Sequence, residues 1–223
     1  MSSGLDSTTN LFAAHRAGWD IRMALTIDYG QRAASREIER AKLICDQLDV
    51  PHRVLELGFF RDFGTSALVD RAKSVPTGGD VAIDDFEVSK KTAKSVWVPN
   101  RNGILLNIAA GFAESLGAGI IVPGFNKEEA ATFPDNTPEF MQSLTNAFSF
   151  STSNAVKVEC FTADLDKPMI AFRAKELGVP FHLIWPCYLD EELPCGRCES
   201  CQRDKRAYKS VGLDLERYFK DAT

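Results

Sequence analysis

Apolar and polar positions along the chain follow two periods that keep exchanging. From Leu5 to Ala17 apolar residues recur at helical spacing, and Gly18 ends the run. Ile21 to Ile27 follows with Met23, Leu25 and Ile27 on one face, the two-residue period of a strand, and closes at Asp28-Tyr29-Gly30. Arg32 to Leu48 returns to helical spacing through Ile38, Ala41, Leu43, Ile44 and Leu48, and Arg53 to Leu57 is another short strand. Residues 64–96 hold Pro76, Gly78, Gly79 and several acids with few regular signals, and are expected to form a mobile loop. Trp97-Val98-Pro99-Asn100-Arg101-Asn102 then leads into a helix from Gly103 to Leu116, and Ile120-Ile121-Val122 is a strand closed by Pro123-Gly124. Thr137-Pro138-Glu139 opens a helix with proline at its first position. Val156 to Phe161 alternates as a strand, Lys167 to Leu177 is helical, and Phe181 to Trp185 is extended.

Strands separated by helices predict an α/β fold: a Rossmann-like three-layer sandwich around a mainly parallel sheet. The expected division is an α/β domain over 1–180 and a C-terminal segment, 181–223, packed on it. Ligands of such sheets bind beyond the carboxyl ends of the strands. The loops at 2–7, 28–32, 99–102 and 124–135 follow extended segments, so they are expected to converge on one crevice.

With 223 residues, 44% hydrophobic, the chain can build one well-formed core. Its net charge of −5 and pI near 5.3 provide no global field for nucleic acid or an anionic membrane. No apolar run approaches the roughly 20 residues of a membrane helix, and no signal-peptide pattern is present. A soluble, cytoplasmic protein is expected, without repeats or low-complexity tracts.

Ser2-Ser3-Gly4-Leu5-Asp6-Ser7-Thr8 stands directly before the first helical run. A small, glycine-containing loop entering a helix gathers backbone N–H groups and the positive end of the helix dipole around one point, a nest for phosphate or pyrophosphate. An ordinary N-cap is the plain alternative. A loop of this kind normally follows a buried strand, and only Met1 precedes it here. The expectation is therefore a start trimmed ahead of the loop, or another segment in that sheet position.

Four of the six cysteines gather as Cys187, Cys195, Cys198 and Cys201, with Pro194 and Gly196 permitting a tight turn. Four thiolates complete a tetrahedral Zn²⁺ and leave no open position, so the ion would be structural. Disulfides fit a cytosolic chain poorly, and an iron–sulfur cluster is the rival. Cys45 and Cys160 are expected in the core, as are Phe140, Phe148 and Phe150. Asp190-Glu191-Glu192 is expected as a solvated loop, and His15, His52 and His182 show no metal spacing.

The motifs occur in one order: S-x-G-L-D-S-T at the start, D-Y-G-Q-R at 28–32, V-P-x-R-N at 98–102, F-P-D at 133–135, W-x-C-Y at 185–188 and C-G-x-C-x-S-C at 195–201. The chain resembles the 7-cyano-7-deazaguanine synthase family of the pyrophosphate-loop ATPases over nearly its whole length. The resemblance implies an ATP-dependent carbon–nitrogen ligase of queuosine biosynthesis that takes 7-carboxy-7-deazaguanine and ammonia to the nitrile preQ0. ATP would adenylate the carboxylate, ammonia would displace AMP to give an amide, and a second ATP would activate that amide for loss of water. ATP, Mg²⁺ and Zn²⁺ are the implied cofactors, and relatives are often homodimers.

By the same resemblance, Ser2, Ser3, Gly4, Leu5 and Thr8 bind the nucleotide, with Asp28, Tyr29 and Gln31 beside the adenosine. Asp6, Ser7, Arg101 and Lys167 serve catalysis, with Asp6 placing Mg²⁺. Asn102, Glu128, Phe133 and Asp135 face the acceptor, and Cys187, Cys195, Cys198 and Cys201 match the zinc ligands. Two departures stand out. Ser3 occupies a position where the family usually has glycine, and the segment 124–137 keeps the frame G…F-P-D while its acid and neighbours differ. Alternatives are a paralogous ligase or amidotransferase acting on another carboxylate or stopping at the amide, a tRNA sulfur transferase, and a nucleotide-binding regulator.

Overall fold

The computed structural model describes residues 1–64 and 66–223. Helix α1 (Leu5–Arg16) precedes strand β1 (Ala24–Asp28), helix α2 (Ala34–Gln47) and strand β2 (His52–Glu56). After α3 (Phe86–Val96) and α4 (Arg101–Ser115) come β3 (Ile120–Ile121), α5 (Lys127–Ala130), α6 (Pro138–Ser151), β4 (Lys157–Val158), α7 (Lys167–Leu177) and α8 (Glu199–Ser210). Parallel strands need helical crossovers, and both strand pairs follow that rule. β1 runs parallel to β2 with Ala24 opposite His52, and β3 runs parallel to β4 with Ile120 opposite Lys157.

The parallel α/β arrangement matches the expectation, but its pairing is divided into two ladders. Among the described residues no strand pairs with both β1 and β3. Met1 lies beside β1: its amino group donates to the Leu25 carbonyl, and Thr26 Oγ1 donates to the Met1 carbonyl at 2.6 Å. A cleft of about 840 Å³ opens between the pairs, with Met23 and Leu25 on one wall and Phe112 and Ile120 on the other. It continues to the Ser2–Ser7 loop.

Of four apolar clusters among the described residues, the two largest hold the layers. The larger joins Leu5 and Phe12 of α1, Ile44 of α2 and Ile170 of α7 to Trp185, the four gathered cysteines and Tyr208 of α8. The smaller packs Leu106 and Ala110 of α4 on Ile121, Phe148, Val156 and Val158. Each fully buried Ile or Phe contributes roughly 1.5–3 kcal/mol. Cys45 is buried as expected and Cys160 half-buried, whereas Phe150 is 92% exposed and takes no part in the core.

Side-chain caps start four of the eight α-helices among the described residues, α3, α5, α6 and α7. Asp166 Oδ1 accepts from Met169 N at 2.8 Å at the start of α7, and Gly178 ends that helix at φ +75°. Thr137 Oγ1 accepts from Phe140 N at 3.2 Å ahead of Pro138. The described residues 66–96 of the segment are more ordered than the sequence signals. Asp85 Oδ1 accepts from Glu87 N and Val88 N and starts α3, Thr77 bridges to Cys198, and Gly78 N donates to the Arg197 carbonyl at 3.0 Å. Phe181–Leu183 is a 3₁₀ turn, not an extended segment.

Candidate active site and metal centre

The loop before α1 has the geometry of an anion nest. Gly4 caps the helix without a side-chain bond to its first amides, so those N–H groups face the cleft end unpaired by any cap. Ser3 takes φ +55°, the left-handed region that favours glycine, which accounts for glycine being usual there. Two bonds hold it: Ser3 Oγ donates to the Ser2 carbonyl at 2.6 Å, and Trp185 N donates to the Ser3 carbonyl at 3.0 Å. Ser2 and Ser7 face each other, Oγ to Oγ, at 3.1 Å. Gly124 lies against the loop from the other strand pair. A Cβ there would sit 2.6 Å from Ser7 N, so only glycine allows the approach.

Beneath the nest lies a buried charge cluster. Lys167 Nζ is 2.8 Å from Asp6 Oδ2, 3.2 Å from Asp204 Oδ1 and 3.7 Å from Glu129 Oε1. Asn126 Nδ2 donates to Asp6 Oδ2 at 3.0 Å, while Asn126 Oδ1 caps α5 by accepting from Glu129 N. Burial pushes the Asp6 carboxyl up to about 6; Lys167 opposes this and the charges of Glu129 and Asp204 reinforce it. Burial likewise works against the Lys167 ammonium, but Asp204, Asp6 and Glu129 outweigh it and hold its pKa well above the usual lysine range. Asp6 Oδ1 has no hydrogen-bond partner. An orphaned, hard carboxylate oxygen beside an anion nest fits Mg²⁺ as a companion of a bound polyphosphate.

The opposite wall is built from side chains. Arg101, first residue of α4, sends Nη1 to 3.4 Å from Tyr29 Oη, with its guanidinium 5.9 Å from the Tyr29 ring centroid. Burial alone would lower the Arg101 pKa, yet its neighbours Tyr29, Asp135 and Glu129 raise it, so it stays cationic. Asn102 Nδ2 donates to the Asp135 carbonyl at 3.4 Å, and Phe133 stacks on Trp97 at 6.1 Å. Gln31 lies in the cleft wall but is braced, its amide donating to the Ile27 carbonyl and to Glu37 Oε2.

Four of the expected contact residues do not line the cleft. Ser3 and Thr8 are fully buried behind the loop. Asp28 Oδ1 is engaged by Gly30 N at 2.8 Å in the turn after β1. Glu128 points away: its carboxylate accepts from Arg203 Nη1 at 2.9 Å, from Arg206 Nη2 at 2.5 Å and from Lys167 N at 2.9 Å. The acid of α5 that lines the cleft is Glu129.

The sulfurs of Cys187, Cys195, Cys198 and Cys201 lie within 4.8 Å of one another, all buried. Cys195 Sγ and Cys201 Sγ are 3.9 Å apart, close to the roughly 3.8 Å of a tetrahedron with 2.3 Å metal–sulfur bonds. Cys187 Sγ accepts from Leu189 N and Cys195 N at 3.4 Å, and Cys195 Sγ accepts from Arg197 N at 3.4 Å and Cys198 N at 3.3 Å. Amides aimed at sulfur favour thiolates. Gly196, at φ +73°, makes the turn, and a Cβ on it would overlap the Asp221 carbonyl. The group can hold one metal ion.

The family described as queuosine biosynthesis protein QueC matches residues 1–212. The chain belongs to the QueC family. It is 52% identical to the 7-cyano-7-deazaguanine synthase of Bdellovibrio bacteriovorus over 221 residues, 99% of this chain and 96% of that protein. The enzymes of that name from Desulforamulus reducens and Methanosarcina mazei are 48% and 44% identical, over 98% and 96% of this chain and 96% and 93% of theirs. The U34-tRNA thiolase NcsA from Methanococcus maripaludis with its [4Fe-4S] cluster is only loosely alike, at TM-score 0.48 and 13% identity over 81% of this chain and 55% of that one.

Within this QueC-family chain, motif reading passed over three polar residues of the charge cluster: Asn126, Glu129 and Asp204. Asp204 had a signal. Cys201, Asp204 and Tyr208 recur at helical spacing and form the buried face of α8. No helix is long and apolar enough to cross a membrane among the described residues.

Proposed function

We propose that the chain is a 7-cyano-7-deazaguanine synthase, an ATP-dependent ligase converting 7-carboxy-7-deazaguanine and ammonia to the nitrile in the cytoplasm. The supporting observation is the anion nest of Ser2–Ser7 with Asp6 and Lys167 beneath it, at one end of a cleft whose other wall carries Arg101, Phe133 and Asp135. A carboxylate is a poor electrophile, so it needs a leaving group, and ATP supplies AMP. The loop amides and the Ser2 and Ser7 hydroxyls hold the departing pyrophosphate. Lys167 and Arg101, both held cationic, neutralise charge as it develops on the phosphates. Asp6 Oδ1 would ligate Mg²⁺, which supplies further charge neutralisation.

On this reading Phe133 and Trp97 offer a flat apolar face for the bicyclic base, and Asp135 and Asn102 offer polar groups at its edge. The cysteine centre holds Zn²⁺ as a structural ion, because four thiolates leave no position for substrate. The test is pyrophosphate release with ATP, Mg²⁺, ammonium and 7-carboxy-7-deazaguanine, with the product weighed by mass spectrometry. The nitrile is expected. Release that ends at the amide, or none with this acceptor, overturns the assignment.

A further inference from the structure

We propose that Asp204, in the helix that follows the cysteine cluster, is the positioning residue that fixes the Lys167 ammonium beside Asp6; this rests on the phosphate-site reading above. Asp204 is 1% exposed, and its Oδ1 lies 3.2 Å from Lys167 Nζ. Neither of its oxygens accepts a hydrogen bond, and Lys167 is its one ion-pair partner among the described residues. A buried carboxylate without donors is destabilising unless a cation meets it. Every favourable contact of this charge therefore runs through Lys167.

Lys167 needs such an anchor. Its backbone N–H is tied to Glu128 Oε1 at 2.9 Å, but four flexible methylenes separate that tie from the ammonium. Asp6 pulls the ammonium toward the nest, and Asp204 pulls it from α8. The Asp204 end is rigid: Cys201 and Tyr208, on the same helix face, are 0% and 2% exposed and packed in the larger core. The groups facing the ammonium and its anchor are Asp6 of α1, Glu128 and Glu129 of α5, and Tyr208 of α8 itself. The ammonium is thus held from two sides, by the motif at 2.8 Å and by the C-terminal segment at 3.2 Å.

The experiment is a double-mutant cycle of Asp204→Asn with Lys167→Met, read by thermal unfolding and by pyrophosphate release. At neutral pH Asp204→Asn is expected to raise Tm by clearly more in the Lys167→Met background, where the buried carboxylate has lost its cation, than in the native background, where Lys167 offsets its burial. In turnover, Asp204→Asn should cut kcat about tenfold or more, leave KM for ATP within about threefold, and cost nothing further once Lys167 is replaced. An equal Tm change in the two backgrounds overturns the proposal, as does an unchanged kcat or an equal loss in both. Asp204→Ser repeats the cycle should Asp204→Asn not fold, and unfolding of both marks Asp204 as a fold residue only. A native enzyme without turnover overturns the functional reading, while the thermal cycle still decides the pairing.

Discussion

On one wall of the cleft the Ser2–Ser7 loop presents main-chain N–H groups; on the other, Arg101, Phe133 and Asp135 present side chains. The first wall depends on backbone shape: Ser3 at φ +55° and a glycine at 124 that lets two segments touch. The second depends on which residue happens to sit on a frame, and α5 shows how sensitive that is. Glu128 and Glu129 are neighbours, yet one is clamped by Arg203 and Arg206 while the other enters the cleft. A site made of main chain constrains its sequence tightly and reads as a motif. A site made of side chains can change its residues while its outline stays.

The sharpest blow to this contrast falls on both walls together. Cys198→Ser is expected to remove the bound metal and with it soluble folding, because a structural ion supplies on the order of 10 kcal/mol of folding free energy. Metal analysis and gel filtration check this, and a metal-free, fully active variant would separate the knuckle from the site.

Asp6→Asn strikes the phosphate wall alone and should lower pyrophosphate release about 1,000-fold or more. Its stability should move the other way. The folded Asp6 carboxyl titrates near 6, above its ordinary value of 3.8, so its stabilising share is present in acid and lost as pH rises through 6. The native protein should lose Tm between pH 4 and 7.5 by this route. Asp6→Asn lacks that loss and should melt a few degrees higher at pH 7.5, with little difference at pH 4. Equal Tm differences at the two pH values would refute the linkage.

Gly124→Ala tests the seam between the walls. The added methyl meets Ser7 backbone, so one of the two segments must shift, at roughly 1–3 kcal/mol. Expected is a ten- to hundredfold fall in kcat/KM for ATP, about that energy converted, with KM for the acceptor changing less. Smallest is the pair on α5. Glu129→Gln should alter turnover several-fold with Tm nearly constant. Glu128→Gln should lower Tm by a few degrees, since Arg203 and Arg206 each lose one of two carboxylate partners, with little effect on KM. An exchange of these two results would reverse the assignment of the two acids.

The same contrast explains how much could be read in advance. The phosphate loop, the four cysteines and the order of strands and helices are local patterns, and they were legible. The helix α8 was not picked out, because seven of its twelve residues are buried even though many of them are charged. Charge normally signals a wet surface; here Arg203 meets Glu128 and Asp204 meets Lys167 from distant segments, while Lys205 donates to the nearby Gly196 and Thr223 carbonyls. Phe150 is the reverse case, an aromatic residue placed in the core by its type and left in solvent by the phase of α6. Helical spacing reveals which residues share a face, but not which face the rest of the chain will cover.

The hydrogen bond from Trp185 N to the Ser3 carbonyl has a consequence in time. It joins residues 182 positions apart, and Lys167 reaches Asp6 across 161. At roughly 5–20 residues per second, a ribosome takes about 10–40 s to travel from the loop to the residue that steadies it. The first part of the site to be synthesised is therefore among the last to be finished, and a growing chain carries its phosphate loop as an unfinished turn until the C-terminal segment docks.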